Sequence, residues 1–244
     1  MTSSGRIGLL GGTFDPFHHG HLAVAVAADA ALDLDAVYVI PAAVPPHRQR
    51  QPGASASHRF AMAALGVAET PGLRVDDREL LTTGPSYTSL TLAMFAAEGW
   101  GPSQIFFVTG ADAFAEIATW HDYPDILDRA HFVVIARPGH DVRTLGEQLP
   151  ALTHRMRVAD AMSPPGPDET RQPAIWLVHV KTPAVSATAI RDAAAEGRPI
   201  SGLTPPLVEQ HILRHGLYGR SGRRPASAAG SDEAASELHA QEHV

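Results

Sequence analysis

The sequence predicts an α/β fold in which a doubly wound, mostly parallel sheet carries helices on both faces. The first observation is that short apolar, β-branched runs alternate with helical segments along the chain. The second is that a strand, a helix and a second strand follow one another within about 35 residues, the length of a βαβ unit. The third is the composition: 44% of the 244 residues are hydrophobic and 18% are charged, which suffices for a packed core.

The N-terminal half opens with a strand at Ile7 to Leu10, which ends in a tight turn at Gly11 and Gly12. A helix from His19 to Leu32 follows, because apolar residues recur there at helical spacing without a proline. The remaining elements of this half are a strand at Ala36 to Ile40, a loop at 41–53, a helix from His58 to about Ala68 capped by Ser57, a weak strand at Leu73 to Val75 and a helix to about Glu98 capped by Ser86.

The C-terminal half continues the alternation. Its elements are a strand at Gln104 to Val108, a helix from Ala111 to about Thr119, a short helix at Pro124 to Arg129, a strand at His131 to Ile135, a last strand at Ile175 to Val180, a helix at about Ala187 to Glu196 and a helix at Pro206 to His215 capped by Thr204. A proline-rich surface excursion at about 138–173, with a helix near Leu145 to His154, interrupts this order. We expect one domain at 1–219 and a disordered tail at 220–244, which has almost no large apolar side chain.

Charge and residue usage exclude several classes of function. A formal net charge of −7 argues weakly against binding of duplex nucleic acid, which normally requires a basic face. The absence of cysteine excludes disulfides, thiolate metal sites and cysteine nucleophiles. No signal peptide and no apolar run of about 18 residues is visible, so we expect a cytoplasmic protein with no membrane partner.

The segment 11–21, GGTFDPFHHGH, is the main indication of function. Its two glycines let the backbone approach a ligand and present N–H groups, and the following helix start favours anions. His18 and His21 are three residues apart, so both imidazoles can face one bound anion, and Gly20 removes a side chain that would otherwise crowd the ligand. Three interpretations remain open from spacing alone: a phosphate site with two imidazole donors, a metal site, and an ordinary histidine-rich loop. The loop is neither a Walker A motif nor a dinucleotide fingerprint.

A second segment follows the last strand, at 185–191, VSATAIR. Its Ser-x-Thr-x-x-Arg pattern, formed by Ser186, Thr188 and Arg191, is weak evidence of function when it stands alone. By itself this segment is equally typical of an ordinary helix, capped by Ser186 and with Arg191 in solvent.

Together the two segments resemble the two signatures of the HxGH nucleotidyltransferase superfamily, the second of which is usually written ISSTxxR. Here Val185 and Ala187 replace an Ile and a Ser. From about Arg6 to Tyr218, the chain further resembles the bacterial nicotinate-nucleotide adenylyltransferases. The segments that carry this narrower resemblance are 11–16 (GGTFDP), 44–48 (VPPHR), 85–88 (PSYT), 110–114 (GADAF), 119–120 (TW), 137–139 (RPG) and 215–218 (HGLY).

The resemblance implies a Rossmann-like nucleotidyltransferase fold and transfer of the adenylyl group of ATP to nicotinate mononucleotide, with release of pyrophosphate. Catalytic roles would fall to His18, His21 and Arg191. The implied ATP-binding residues are Gly11, Gly12, Thr13, Phe14, His18, Gly20, His21, Arg137, Ser186, Thr188 and Arg191. The implied mononucleotide-binding residues are His47, Arg48, Tyr87, Thr88, Asp112, Trp120 and His121.

Several implied roles have ordinary structural alternatives. Asp112 would accept hydrogen bonds from ribose hydroxyls, or else cap a helix. Trp120 would offer a flat face to the pyridine ring, or else pack in the core. The backbone N–H groups of Thr88, Trp120 and His121 would bind the nicotinate carboxylate. His47 and Arg48 would reach phosphate, although a basic pair in a loop is usually only solvated.

No carboxylate pair for a metal is evident, so we expect no metal site held by the protein itself and Mg²⁺ that arrives with ATP. The remaining alternatives are an enzyme that uses nicotinamide mononucleotide or both pyridines, a phosphopantetheine adenylyltransferase, and a non-catalytic nucleotide-binding protein. Phosphopantetheine enzymes resemble this chain less, because they are shorter and lack the Tyr-Thr and Thr-Trp segments. A homo-oligomer is compatible with the sequence, which carries no signal for or against one.

Overall fold

The computed structural model describes residues 5–45, 51–136 and 144–219. In these ranges seven strands form a single sheet in which every pairing is parallel. The strands are β1 (Ile7–Gly12), β2 (Ala36–Pro41), β3 (Leu73–Val75), β4 (Ile105–Gly110), β5 (His131–Ile135), β6 (Met156–Ala159) and β7 (Ile175–Val178). Their spatial order is β3-β2-β1-β4-β5-β7-β6.

Helices cover both faces of this sheet, which confirms the predicted fold class. The helices are α1 (His19–Leu32), α2 (Ala56–Val67), α3 (Thr88–Ala97), α4 (Ala111–Phe114), α5 (Leu145–Gln148), α6 (Ala187–Ala195) and α7 (Pro206–Arg214). Alternate strand residues enter two separate cores: Leu10 lies with α1, α2, α6 and α7, whereas Leu9 lies with α3, α4 and α5. The sheet is therefore buried on both sides, which is why its strands read as continuous apolar runs.

Three predicted helix starts are wrong in detail. Helix α2 is capped by Ser55, whose hydroxyl accepts from the backbone N of His58, and not by Ser57. Helix α3 begins after Tyr87 without a side-chain cap. Helix α7 begins after Pro205, and again no side chain caps it. In each case the observed N-cap lies one or two residues from the predicted one, which is the usual uncertainty of a helix end.

The Ser86 hydroxyl has a different task from the capping role predicted for it. It accepts hydrogen bonds from the backbone N of Ala43 at 2.9 Å and of Val44 at 3.4 Å. The loop after β2 is thereby fixed against the start of α3.

The segments 111–119 and 124–129 are less regular than the predicted helices. Helix α4 ends at Phe114 and is followed by a 3₁₀ turn at Ile117–Thr119, and a second 3₁₀ helix covers Asp125–Asp128. Short 3₁₀ pieces of this kind turn the chain sharply, so they bring Trp120 back over the sheet.

The proline-rich excursion contains the strand that sequence reasoning missed. Helix α5 and a 3₁₀ helix at Pro150–Arg155 occupy the predicted helical region, and β6 then pairs with β7. As an edge strand with one partner, β6 exposes Arg157 and Val158, so it lacks the apolar run that marks the buried strands. Residues 137–143, including the predicted Arg137, and the tail at 220–244 lie outside the described residues.

His131 in β5 is a structural histidine. Its Nδ1 accepts from the backbone N of Ala174 and the indole Nε1 of Trp176, and its Nε2 lies 3.1 Å from the carbonyl of Thr170. Burial lowers the pKa of His131 to about 4, so the ring is neutral at pH 7. These bonds attach the end of the excursion to the middle of the sheet.

Among the described residues no helix is both long and apolar enough to cross a membrane.

The order of the strands places β1 next to β4, and the chain leaves these two neighbours in opposite directions. In open α/β sheets ligands bind beyond the carboxyl ends of the strands at such a point.

Candidate active site

Two adjoining parts of the molecule form cavities at the carboxyl ends of β1 and β4. The histidine cavity, of about 570 Å³, is lined by His18, Gly20, His21, Val24, Asp112, Leu203 and residues 182–189. The tryptophan cavity, of about 330 Å³, is lined by Trp120, Tyr87, Thr88, His121, Glu79 and ten further residues, among them Gly11, Gly12 and Thr13. The two signature segments thus meet in the first cavity, and the pyridine-site candidates meet in the second.

His18 and His21 stand at the entrance of α1 as a stacked pair. Their ring centroids lie 3.6 Å apart with an interplanar angle of 20°. His18 is the N-cap residue, and its Nδ1 accepts from the backbone N of Gly20 at 3.1 Å. His21 Nδ1 accepts in turn from the backbone N of His18 at 3.3 Å. The pair is therefore a capping box made of imidazoles in place of the usual hydroxyl and carboxylate.

This capping box fixes the tautomers of both rings. A backbone N–H can only donate, so each Nδ1 must carry a lone pair, and the proton of each neutral imidazole is on Nε2. Both residues line the histidine cavity. The entrance of α1 therefore combines two imidazole Nε2–H donors with the positive end of a helix dipole, an arrangement that suits phosphate oxygens.

Gly20 is required by the histidine pair itself. A Cβ at this position would lie 2.9 Å from His18 Cε1 and 3.0 Å from its Nδ1. The sequence predicts that Gly20 leaves room for a ligand. In the structure, the group that a side chain would meet first is the ring of His18.

The second signature segment borders the same cavity from the start of α6. Ser186 caps that helix, since its hydroxyl accepts from the backbone N of Ala189 at 3.1 Å, and both Ser186 and Thr188 line the cavity. The capping role and the lining position coexist, so the two interpretations of this segment are not exclusive. Whether Ser186 and Thr188 bind ATP stays a prediction.

Arg191 points to the glycine-rich loop and is not among the residues that line the histidine cavity. Its Nη1 donates to the backbone carbonyl of Asp15 at 2.7 Å, and its Nη2 donates to Thr188 Oγ1 at 3.1 Å. The side chain thus joins the two signature segments. The catalytic role of Arg191 stays a prediction. To contact ATP, Arg191 would have to adopt another rotamer, or the phosphate chain would have to extend to it.

Asp15 is the centre of a network that sequence reasoning missed. Its carboxylate is 1% exposed and accepts from the backbone N of Gly53 at 2.8 Å, from that of Ala54 at 3.0 Å and from the Tyr218 hydroxyl at 2.8 Å. Arg191 Nη1 lies 3.8 Å from the same carboxylate. Burial and the neighbouring Asp15 raise the pKa of Tyr218, so its hydroxyl stays a donor.

Arg59 is a second missed residue. It is 1% exposed, and its guanidinium donates to the carbonyls of Thr13 at 2.9 Å, Ala42 at 2.6 Å and Ala43 at 3.3 Å. These bonds join the loop after β1 to the loop after β2. The available signal was a basic residue in the apolar stripe of α2, where Arg59 precedes Met62 and Ala63 at helical spacing.

Trp120 forms one wall of the tryptophan cavity. Its indole packs edge-on against Phe107, with centroids 6.0 Å apart and planes at 88°, and against Phe132 at 6.2 Å. The rings of Tyr87 and His121, which line the same cavity, stack on each other with their centroids 4.4 Å apart. His121 Nδ1 lies 2.8 Å from Ser89 Oγ. The side chain is half-buried, so it can contribute to the core and to a ligand slot together.

One of the three predicted backbone donors is already used. The backbone N of Trp120 donates to the carbonyl of Ile117 at 3.0 Å, closing the 3₁₀ turn. Trp120 N–H is therefore a wrong choice for a carboxylate donor. Thr88 is the first residue of α3 and His121 follows the turn, and both line the cavity. The N–H group of a first helical residue has no partner within its own helix and is suited to a carboxylate.

Glu79 lies at the wall of this cavity and was not singled out by sequence. It is 7% exposed and accepts from Thr91 Oγ1 at 2.5 Å. Burial raises its pKa, whereas the hydrogen bonds from Thr91 and Ser86 act in the opposite direction. Glu79 is thus hydrogen-bonded both to Thr91 in α3 and to Ser86, which fixes the loop after β2.

Other predicted site residues have mixed outcomes. Gly11, Gly12 and Thr13, expected at ATP, line the tryptophan cavity, whereas Asp112, expected at the mononucleotide, lines the histidine cavity. The Phe14 side chain is 2% exposed and packs edge-on against His21 at 4.9 Å, so only its backbone is available to a ligand. The predicted residues that lie outside the described ranges are His47, Arg48 and Arg137.

Comparisons with known proteins agree with this geometry. The family model described as cytidylyltransferase-like matches residues 9–193. The probable nicotinate-nucleotide adenylyltransferase of Chromohalobacter salexigens is 44% identical in an alignment of 218 residues that covers 87% of this chain and 95% of that protein. The corresponding protein of Moorella thermoacetica is 39% identical over 219 residues, 89% of this chain and 94% of that protein.

Solved structures share the fold. Nicotinic acid mononucleotide adenylyltransferase of Plasmodium falciparum, complexed with NaAD, superimposes with a TM-score of 0.64 at 16% identity, covering 88% of this chain and 97% of that one. At this identity the likeness concerns the fold alone. The family model and the bacterial relatives carry the assignment: the chain belongs to the bacterial nicotinate-nucleotide adenylyltransferases, within the cytidylyltransferase-like family.

Proposed function

We propose that this chain transfers the adenylyl group of ATP to nicotinate mononucleotide, giving nicotinate adenine dinucleotide and pyrophosphate. The observation that carries the proposal is the pair of cavities at one edge of the sheet. The histidine cavity offers donors for phosphate at the start of α1. The tryptophan cavity offers an indole wall and backbone N–H groups for an aromatic ring with a carboxylate.

The reaction is an in-line displacement at phosphorus. A phosphate oxygen of the mononucleotide attacks the α-phosphorus of ATP, the bond from that phosphorus to the bridging oxygen breaks, and pyrophosphate leaves with the electron pair. The substrate phosphate is already ionised and nucleophilic, so neither a covalent intermediate nor a general base is needed. Catalysis then depends on positioning and on donors that stabilise charge on the transferring group.

His18 and His21 are the residues that supply these donors in the proposal. Their Nε2–H groups are already set by the capping box, so no proton has to move before phosphate binds. A preorganised donor costs little reorganisation when charge develops in the transition state. Arg191 and Thr188 would hold the end of the phosphate chain from α6.

Mg²⁺ enters the proposal as the ion that ATP brings. Asp112 is the one carboxylate among the residues that line the histidine cavity. One carboxylate together with substrate phosphates is a usual environment for Mg²⁺, whereas it is too little for a site formed by protein alone. The ion would neutralise phosphate charge, and the residues around it would orient the phosphate chain of ATP.

We propose the cytoplasm as the place of the reaction.

The experiment that tests the function is pyrophosphate release with Mg-ATP and either nicotinate or nicotinamide mononucleotide. We expect a kcat/KM at least 100-fold higher for the acid, since two charge-assisted hydrogen bonds to a carboxylate are worth about 3 kcal/mol or more. Equal rates would move the protein to dual specificity. No release with either substrate would overturn the proposal, and phosphopantetheine would be the next acceptor to test.

A change of Trp120 tests the pyridine slot. Trp120→Ala is expected to raise the KM for nicotinate mononucleotide by up to about tenfold, because an aromatic face contributes roughly 0.5–1.5 kcal/mol to such contacts. Trp120→Phe, which keeps a ring, is the matched control and should stay closer to the parent. The KM for ATP and the melting temperature are measured in parallel. A loss of stability with both KM values unchanged would show that Trp120 serves the core alone.

A further inference from the structure

Three histidines outside the active site meet where α2 packs against α7. His58 lies in the first turn of α2, His211 in the last turn of α7, and His215 caps the end of α7. His58 Nδ1 and His211 Nε2 lie 3.0 Å apart. The His215 ring is 4.9 Å from that of His58 and 4.4 Å from that of His211, centroid to centroid.

This arrangement has the geometry of a metal site. One ring nitrogen from each histidine lies within 4.8 Å of the other two. Nitrogens bound to one tetrahedral Zn²⁺ at about 2.0–2.1 Å are about 3.3 Å apart, so a small rotation of the exposed His215 completes the set. We propose that His58, His211 and His215 bind one divalent transition-metal ion of the Zn²⁺ class.

The chemistry of the donors favours this class of ion. Imidazole nitrogens suit Zn²⁺, Cu²⁺, Ni²⁺ and Fe²⁺, whereas Mg²⁺ and Ca²⁺ require oxygen ligands. The ion would displace the proton shared by His58 and His211, and it would occupy the C-terminal end of α7, where the helix dipole favours a cation. Three histidines leave a fourth position for water or an exogenous ligand.

The position of the cluster gives the ion a mechanical consequence. His58 precedes Arg59, which holds the carbonyls of Thr13 and Ala42. His215 is three residues before Tyr218, which donates to Asp15. An ion that joins α2 to α7 therefore joins the two segments that support the loop after β1. The site shares no ligand with the histidine cavity, so it does not depend on the proposed reaction.

Zinc content of the full-length protein tests the proposal directly. The protein is treated with a chelator, dialysed against Zn²⁺ and analysed for bound metal. His215→Ala is expected to lose one zinc equivalent relative to the parent, and His58→Gln should do the same. His154→Ala, a change at an exposed histidine elsewhere, is the matched control and should keep the parent's content.

A second readout separates site loss from misfolding. Zn²⁺ should raise the melting temperature of the parent by several degrees, because a ligand that binds the folded state stabilises it by mass action. The zinc-free His215→Ala variant should melt like the zinc-free parent and gain nothing from Zn²⁺. Unchanged zinc content in both His215→Ala and His58→Gln would overturn the proposal. Loss of the zinc in His18→Asn instead would place the ion in the histidine cavity and overturn it as well.

Discussion

His18→Asn is expected to lower kcat for adenylyl transfer by about 10²–10³-fold and to leave the KM for nicotinate mononucleotide within about threefold of the parent's. Removal of one preorganised donor that acts on a transition-state oxyanion typically has an effect of this size. The ring lines the cavity that we assign to ATP phosphates and is not among the residues that line the tryptophan cavity. The loss should therefore fall on turnover and not on binding of the pyridine substrate.

Asparagine is chosen because His18 has two separable tasks. Its Nδ1 caps α1 by accepting from Gly20, and its Nε2 is the donor proposed for phosphate. An asparagine Oδ1 can take the Nδ1 position and is a favoured N-cap, so the helix start is kept while the outer donor is removed. The companion variant His18→Gln places an amide near the Nε2 position and should recover part of kcat.

His19→Ala is the matched control. His19 is the adjacent imidazole, but it lines neither cavity, and the contact seen for it is a backbone bond from its N to the carbonyl of Leu203. The kcat of the His19→Ala variant should be within about twofold of the parent's. A kcat near normal in His18→Asn, or an equal loss in His19→Ala, would contradict the assigned role of His18. Melting temperatures of all three variants exclude unfolding as the cause.

The sequence predicted the elements whose signal is local. The strands β1, β2, β4, β5 and β7 are buried on both faces, so each appears as an apolar run that periodicity can detect. Strand β6 was not predicted because it is an edge strand and exposes half its residues. The helix from Ala111 was overestimated, since propensity cannot show that the chain must turn there to bring Trp120 over β4.

The active-site candidates divide in the same way. His18, Gly20 and His21 are close in sequence, so a motif exposes their relation. Asp15 and Tyr218 are 203 residues apart, and His58 and His211 are 153 apart, so only the folded chain brings them together. Sequence reasoning therefore found residues such as His18, His21 and Trp120 that line the cavities. It missed Glu79 at the wall of the tryptophan cavity and the buried charges, Asp15 and Arg59, that hold the loops in place.

Asp15→Ala is expected to have the largest effect on stability, a loss of about 3–5 kcal/mol in the free energy of unfolding. Removing one member of a buried charged network leaves its partners without compensation, which is the costly outcome. Here two backbone N–H groups and the Tyr218 hydroxyl would each lose an acceptor, and the Arg191 guanidinium would lose the carboxylate that lies 3.8 Å away as its ion-pair partner. Urea unfolding followed by circular dichroism measures the change.

Asp168→Ala is the control, because Asp168 pairs with Arg171 at 2.6 Å while its side chain is 83% exposed. An exposed pair contributes at most about 1 kcal/mol, so this variant should unfold almost like the parent. Tyr218→Phe removes one of the four contacts of Asp15 and should fall between the two, at about 1–2 kcal/mol.

Function should follow stability in this network. Arg191 reaches Thr188 from a position that the Asp15 carbonyl and carboxylate fix, so Asp15→Ala should also raise the KM for ATP at temperatures where the variant is folded. Equal unfolding midpoints for Asp15→Ala and Asp168→Ala would refute the network. A destabilised Asp15→Ala with an unchanged KM for ATP would keep the network as a support of the fold and would detach Arg191 from ATP binding.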